Sequence, residues 1–330
     1  MIQRRDFLAI LGGAAVGTLS APFPSGAVAR NRPLIGFLSN GDEAGNGPLG
    51  WFLDGMSKLG YVRGKGFDIV ARFSGVGADD RLPELAKELV LLQPDLIFAT
   101  SAPVAVAAKR ATSSIPIVVG TMFDPIGLGL VTSEARPGGN VTGMLEAPAG
   151  LPSKELQLAM EVAPDATTIG YLNYSDIASE LAERHEIEAA AAARSRRIVV
   201  ATSHSSADLQ DAIRSLADQS ARVVIVGRST LFFINGGRIA ELATAARLAS
   251  IFCWPQPVAS GGLVGYGVDI AASFRHTAMF VDKIFKGAKP ADLPVEFPTT
   301  LVMAINLKTA KTLGLTVPQS LLVAADQVIQ

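Results

Sequence analysis

Short polar turns follow the apolar, β-branched runs of this 330-residue sequence, and they carry side chains suited to binding a small molecule. Hydroxyls and amides can hydrogen-bond a polar solute, an arginine can pair with a carboxylate, and aromatic rings can stack on an apolar group. In open α/β sheets, such turns lie at the carboxyl ends of strands, where ligands bind. The candidate site residues are Ser39, Asn40, Thr100, Ser101, Phe123, Asp124, Asn173, Tyr174, Arg228 and Trp254.

Each candidate also has a purely structural interpretation. Ser101 precedes Pro103 by two residues, which is typical of a helix start whose hydroxyl and free N–H groups can receive an anion. The same hydroxyl can simply cap its own helix. Asp124-Pro125 is a common turn, Arg228 can be a solvated loop residue, and aromatic side chains near strand ends can belong to the core. Their placement together favours a ligand site.

The sequence lacks the residue patterns that catalysis requires. His185, His204 and His276 have no spacing for metal binding, and no nucleophile elbow, phosphate-binding loop or dinucleotide fingerprint occurs. His185 lies in segment 182–186, which we predict to be a solvated helix face. We therefore predict that the protein is not an enzyme and has neither a metal nor a cofactor.

Charge and cysteine content exclude other classes. The formal net charge is −1 and no basic stripe is present, so the electrostatic footprint of a nucleic-acid-binding protein is missing. Cys253 is the single cysteine, which excludes an intrachain disulfide. We predict that Cys253 packs as a small apolar residue rather than acting as a reactive thiol.

Strand and helix patterns alternate along the chain in two successive series, which predicts parallel sheets covered by helices on both faces. The first series covers about 34–144 and the second about 153–249. Two such series indicate two similar lobes. Predicted strands lie at 34–38, 67–73, 96–99, 117–120, 141–144, 168–172, 197–201 and 222–226, and predicted helices at 48–59, 82–92, 153–163, 177–194, 207–219, 233–249 and 273–286.

The amino terminus has the features of an export signal. Paired arginines in Gln3-Arg4-Arg5-Asp6-Phe7-Leu8 precede an apolar run to Leu19, and Ala27-Val28-Ala29 provides a small-x-small cleavage site. The run is shorter than the roughly 20 residues that span a bilayer, which argues against the alternative of a membrane anchor. We predict a twin-arginine signal over residues 1–29, cleaved near Ala29.

The carboxyl-terminal third carries a family likeness. The segment Gly-Gly-Leu-Val-Gly-Tyr-Gly-Val-Asp at 261–269, followed by 281–296, resembles the bacterial ABC-transporter substrate-binding family that includes tryptophan- and tyrosine-type uptake proteins. Segments 305–315, 136–143 and 59–62 are also similar to that family. The likeness extends over nearly all of the chain after the signal.

This resemblance implies a type I periplasmic binding fold, in which two doubly wound parallel-sheet lobes are joined by a hinge of three crossings. The crossings are expected near 143–147, 265–269 and 296–302. Lobe 1 then consists of 30–145 plus 268–295, and lobe 2 of 146–267 plus 296–330. Ligand is held between the strand ends of the two lobes.

The resemblance also implies a function: an extracytoplasmic, periplasmic receptor of an ABC importer. It is expected to capture a small polar solute, an amino acid or related carboxylate, by hinge closure and to deliver it to a permease. The twin-arginine export machinery is a further expected partner. By hypothesis, Ser39, Thr100 and Ser101 hold the carboxylate of an amino acid, Asp124 faces its ammonium group, and Phe123, Tyr174 or Trp254 stacks on its side chain. The alternatives are a sensory module for a membrane kinase or chemoreceptor and, with no catalytic residues to support it, a periplasmic enzyme on the same fold.

Overall fold

Two largely parallel sheets, one of five strands and one of seven, form the framework of the protein. The computed structural model describes residues 31–43, 47–146, 150–174, 178–298 and 300–330. The predicted signal over 1–29 and its cleavage site lie outside these residues. The predicted α/β class with two doubly wound sheets is confirmed.

The first sheet has the strand order β2-β1-β3-β4-β5 and is parallel throughout. Its strands β1 and β4 are buried along their whole length, because helices cover both faces of the sheet. The first elements are β1 (Leu34–Ser39), α1 (Pro48–Lys58), β2 (Asp68–Phe73), α2 (Leu82–Leu91), β3 (Leu96–Ala99), α3 (Ala102–Ala111), β4 (Ile117–Met122) and β5 (Val141–Leu145).

After β5, the chain enters the second sheet. Helices α4 and α5 pack on one of its faces, and α6 and α8 pack on the other. The elements are α4 (Leu151–Val162), β6 (Thr168–Asn173), α5 (Ala178–Ala192), β7 (Arg197–Thr202), α6 (Leu209–Asp218), β8 (Val223–Val226), α7 (Thr230–Ile234), α8 (Gly236–Ala245), β9 (Ala249–Phe252), α9 (Gln256–Ala259) and β10 (Val264–Val268).

The last elements return to the first sheet and then complete the second. Helix α10 packs against α1, whereas β11 and β12 extend the second sheet to the order β12-β11-β10-β9-β8-β6-β7. Within this sheet, β10 and β11 are antiparallel. These elements are α10 (Ile270–Phe285), β11 (Leu301–Asn306), α11 (Leu307–Leu313), α12 (Gln319–Ala324) and β12 (Gln327–Ile329).

An aromatic core fixes α1 and α10 on the same face of the first sheet. The ring of Phe98 stacks on Phe37 at a centroid distance of 5.4 Å and lies 4.3 Å from Phe52 of α1. Phe274 of α10 reaches the same ring at 5.9 Å. At the crossing of these helices, Gly55 leaves room for the carbonyl of Arg275, which a Cβ atom would meet at 2.2 Å.

The chain passes between the two sheets at three places. It leaves the first sheet after β5, returns to it between β10 and α10, and leaves it again before β11. At the last passage, Glu296 lies beside β5: Leu145 N–H donates to the Glu296 carbonyl at 2.8 Å, and Glu296 N–H donates to the Gly143 carbonyl at 3.0 Å. The first and last passages therefore run side by side.

One predicted element is wrong. The single helix expected over 233–249 is instead α7, α8 and the buried strand β9. Helix α8 ends before Arg247, whose φ of 57° is left-handed and stops a helix. A short apolar run such as Ala249–Phe252 is not distinguishable from a helix segment by periodicity.

Candidate functional site

A cavity of about 270 Å³ lies between the carboxyl ends of the strands of the two sheets. Strands β1, β3 and β4 direct their following turns to it from one side, and β6, β8 and β9 direct theirs from the other. Helices α1 and α7 contribute side chains at its edges. The cavity is therefore made by both sheets, as expected for a ligand site at the carboxyl ends of α/β strands.

Hydroxyl and amide groups form one wall. Thr100 Oγ1 lies 3.4 Å from Ser39 Oγ, to which it donates, and Ser101 Oγ donates to Asn40 Oδ1 at 3.1 Å. Ser39, Asn40 and Thr100 are buried. Ser101 occupies the N-cap position of α3 but makes no side-chain capping bond. The N–H groups at the start of α3 are thus left to another acceptor.

Two polar contacts cross the cavity. Asn40 Oδ1, after β1, also accepts from Thr230 Oγ1, at the start of α7, at 3.0 Å. Asp79, after β2, accepts hydrogen bonds from Asn40 and from Tyr174 of the other sheet. Burial raises the pKa of Asp79, and these two hydrogen bonds oppose the rise. The same residues that line the cavity therefore also join its two sides.

Aromatic rings form a second wall. Phe233 meets Trp51 edge to face at 6.3 Å and Trp254 at 5.3 Å, and Trp51 also contacts Phe274 at 6.0 Å. The Trp254 indole N–H donates to Glu146 Oε1 at 2.9 Å. A flat, rigid wall of this kind suits an aromatic or other apolar group of a ligand.

A group of buried ionisable side chains lies at a third side. Arg228 Nη1 donates to Glu183 Oε1 at 2.7 Å, and Arg228 Nη2 donates to Glu155 Oε1. The guanidinium carbon also lies 5.8 Å from the centroid of the Phe123 ring, which belongs to the opposite sheet. Arg228, Glu155 and Glu183 are 7%, 0% and 1% exposed, so this is an interior ion cluster.

Burial has the largest effect on the pKa values of the carboxyl groups in this cluster. It raises the pKa of Glu155 to about 8, and it also raises the pKa values of Glu146 and Glu183, against the opposing charge of Arg228. Burial disfavours the Arg228 cation, but the charges of Glu155 and Glu183 outweigh it and raise the pKa of Arg228. Arg228 is therefore permanently charged, and its guanidinium group is already paired with Glu155 and Glu183.

Eight of the ten predicted residues line the cavity, and Asp124 and Asn173 do not. The Asp124 carboxylate accepts from Gly127 N–H at 3.0 Å and closes its own turn. The Asn173 side chain is buried between strand ends and donates to Thr202 Oγ1 at 3.4 Å. The residues on the wall are Ser39, Asn40, Thr100, Ser101, Phe123, Tyr174, Arg228 and Trp254.

The wall residues that sequence reasoning missed include Trp51, Asp79, Glu146, Glu183 and Phe233. The position of Glu146 directly after β5 could have revealed it, because the turns after the neighbouring strands carry site residues in the same way. The prediction that 182–186 is a solvated face is wrong for Glu183, which is buried against Arg228, although His185 is exposed. A single buried acid on an otherwise polar helix leaves no periodic signal.

Comparison with known proteins identifies the family. Residues 48–329 match the family described as ABC transporter substrate binding protein. A tyrosine-binding protein from Clostridioides difficile is 27% identical over 268 residues, covering 80% of this chain and 75% of that protein. The chain belongs to the family of ABC transporter substrate-binding proteins. Members of this family bind solutes and are not enzymes, and those of ABC importers act outside the cytoplasm.

Two solved structures, both 25% identical and both covering 90% of this chain, are similar to different degrees. A Streptococcus pneumoniae domain in complex with L-Trp superimposes with a TM-score of 0.81, over 100% of that chain. A ligand-free, open form of a substrate-binding protein from Clostridium difficile superimposes with a TM-score of 0.64, over 99% of that chain. Within the described residues, no helix is long and apolar enough to cross a membrane.

Proposed function

We propose that this protein is the extracytoplasmic receptor of an ABC importer and captures an amino acid with an aromatic side chain. The observation that carries the proposal is that hydroxyl groups, an acidic group and an aromatic wall meet in one cavity between two sheets. The ligands named for the relatives, tyrosine and L-Trp, support the same class. The predicted signal over 1–29 is consistent with export.

The carboxylate of the ligand binds to the hydroxyls of Ser39, Thr100 and Ser101 and to the N–H groups at the start of α3. Hydroxyl donors and a helix N-terminus together stabilise an anion without a cationic side chain. Arg228, the arginine on the wall, does not serve here, because both of its terminal nitrogens already donate to Glu155 and Glu183.

The ammonium group of the ligand binds to Glu146. Along the first sheet, the hydroxyl groups follow β1 and β3, whereas Glu146 follows β5. Neighbouring strands are about 4.8 Å apart, so the ends of β3 and β5 are separated by about 10 Å, which a zwitterion hydrogen-bonded at both ends can bridge. Asp79, another acid on the cavity wall, already accepts from Asn40 and Tyr174.

Binding proceeds by closure of two lobes, 30–145 plus 268–295 and 146–267 plus 296–330, about the three passages of the chain. Each lobe supplies part of the cavity wall, so a ligand that contacts both favours the closed form. The higher TM-score with the L-Trp complex than with the open form is in accord with a closed arrangement of this chain.

Calorimetry of the purified protein tests the function. L-tryptophan, L-tyrosine and L-phenylalanine are compared with tryptamine, which lacks the carboxylate, and indole-3-propionate, which lacks the ammonium group. We expect one aromatic amino acid to bind with one-to-one stoichiometry and without turnover, and the truncated analogues to bind at least about tenfold more weakly, since each loses a charged hydrogen bond. Equal affinity for the amino acid and tryptamine would contradict the carboxylate assignment. Binding of sugars alone would contradict the ligand class.

Glu146→Gln supplies the matched test of the ammonium position. We expect it to weaken amino acid binding while leaving indole-3-propionate unaffected, because that analogue has no cation. Glu241→Gln, at an exposed position on α8, is the control and should change neither affinity.

A further inference from the structure

Three carboxyl groups and one guanidinium lie together beside the cavity. Glu155, Glu183 and Arg228 are buried, and Glu146 is half-buried. Glu146 follows β5, Glu155 is on α4, Glu183 is on α5 and Arg228 follows β8. With every carboxyl group ionised, three negative charges would face one positive charge in an interior site. Such an excess is strongly disfavoured in a medium of low dielectric constant, where a carboxyl group keeps its proton instead.

Within the described part of the chain, no cation other than Arg228 acts on Glu155 to offset the excess. The charged groups that act on Glu155 are Arg228, Glu183 and Glu146. Cys253, after β9, lies near the same cluster, and burial raises the pKa of its thiol, so it adds no positive charge. Tyr171 of β6 is a further polar neighbour and donates a hydrogen bond to Glu183. The balance of charge in the cluster therefore depends on a proton.

The hydrogen bonds indicate where that proton lies. Arg228 contacts one oxygen of Glu183 and one oxygen of Glu155. Within the described part of the chain, the second oxygen of Glu155, Oε2, is buried and has no hydrogen-bond partner. A buried carboxylate oxygen without a donor is unfavourable, whereas a protonated carboxyl group at that position is neutral. Glu155 is thus the member of the cluster best placed to hold a proton.

We propose that Glu155 carries a proton in the ligand-free protein and that ligand binding releases it to solvent. The proposal rests on the proposed function, because the ammonium group of the ligand at Glu146 is the charge that displaces the proton. Glu146 and Glu183 line the cavity, and Arg228 links Glu183 to Glu155. A cation added at the wall thus acts on the whole cluster.

The titration of the cluster agrees with this geometry. Burial raises the pKa of Glu155 to about 8, so its carboxyl group is mostly protonated at neutral pH. A ligand cation nearby lowers that pKa and makes the protein lose up to about one proton near pH 7. By linkage, affinity then strengthens as the pH rises from about 6 to about 8, by at most about tenfold per pH unit.

Proton release is measured by titrating the protein with L-tryptophan and L-tyrosine in several buffers of different ionisation enthalpy at one pH near 7. The slope of observed against ionisation enthalpy gives the protons released, and we expect about 0.5 to 1 for the wild type. Glu155→Gln should bind with near-zero proton release. Glu161→Gln, on the exposed part of the same helix, should retain the wild-type value. Binding of the wild type without proton release, or with uptake, would overturn the proposal and leave the receptor function standing.

A second measurement needs no ligand. A carboxyl group whose pKa is raised by folding binds its proton more tightly in the folded state, so stability falls as the pH rises toward the folded pKa. The melting temperature of the wild type should therefore fall more steeply between about pH 5 and pH 8 than that of Glu155→Gln. Equal slopes would overturn the assignment of the proton to Glu155. If no aromatic amino acid binds, the proposed function fails instead, and with it the linkage, while the melting curves still test where the proton lies.

Discussion

Thr230 Oγ1 donates a hydrogen bond of 3.0 Å to Asn40 Oδ1 across the cavity, although the two residues are 190 positions apart. Asn40 follows β1 of the first sheet and Thr230 begins α7 beside the second. The same Asn40 oxygen accepts from Ser101. One amide oxygen thus joins the hydroxyl wall of the cavity to the opposite side. The lobe closure proposed above would form this bond.

Thr230→Val should weaken ligand binding without altering the fold. Valine keeps the shape of the side chain but removes the cross-cavity donor, while Ser101 still donates to Asn40. The loss of one neutral hydrogen bond corresponds to about 1 kcal/mol, or a roughly fivefold weaker affinity. Calorimetry with the best aromatic amino acid measures the effect, and Thr316→Val at an exposed position is the control. An unchanged dissociation constant would show that this bond does not stabilise the closed form.

We expect Ser101→Ala to weaken binding of the amino acid and Asp124→Ala to leave it nearly unchanged. The Ser101 hydroxyl lines the cavity and is free of a capping bond, so its removal should weaken binding about five- to tenfold. The Asp124 carboxylate closes its own turn, so its removal should leave the dissociation constant within about twofold of the wild type, as expected for a side chain away from the ligand. A larger loss of affinity in Asp124→Ala than in Ser101→Ala would show that Asp124 contacts the ligand.

Arg228→Met should destabilise the protein more at pH 8 than at pH 6. Removing the guanidinium leaves buried carboxyl groups without a counter-ion, a change that typically costs about 3–5 kcal/mol of unfolding free energy. Protonation of those groups relieves the loss at low pH, because their pKa values rise further without the cation. Melting temperatures at the two pH values measure this, with Arg238→Met on an exposed helix face as the control. Equal losses at both pH values would argue against an ionic role for the cluster.

Gly55→Ala should lower the free energy of unfolding by about 1–3 kcal/mol, the usual cost of overpacking. Its Cβ would lie 2.2 Å from the carbonyl oxygen of Arg275, so α1 and α10 would have to move apart. Gly139→Ala, where a Cβ meets no atom within 4 Å, is the matched control. Denaturant unfolding of the two variants measures the difference. If both unfold alike, the contact between α1 and α10 is looser than the structure indicates.

Much of the framework follows from the sequence because strands and helices leave periodic signals. Runs such as Leu34–Ser39 and Thr168–Asn173 are buried throughout, which is the pattern of a strand covered on both faces. Strand β9 could not be predicted in this way, because a run of four buried residues fits a helix equally well.

Most turn residues of the candidate site were predicted, whereas the helix residues of the site, and Glu146 in the turn after β5, were missed. Ser39, Thr100 and Arg228 end strands or lie within two residues of them, so topology alone directs them to the edge of a sheet. Trp51 and Glu183 lie within helices, and only the packing of α1 and α5 brings them to the cavity.

The sequence by itself determined strands β1 to β8, most of the helices between them and the chemistry of the turns that follow the strands, because these depend on residues close together in the chain. Tertiary structure alone decided how those turns meet. Arg228 pairs with Glu183 and Glu155, which are 45 and 73 residues away in the sequence. Because of this pairing, an arginine that the sequence offers as a ligand residue is instead an interior cation bound to acidic side chains. Such a pairing depends on burial and on the convergence of distant elements, which no local pattern records.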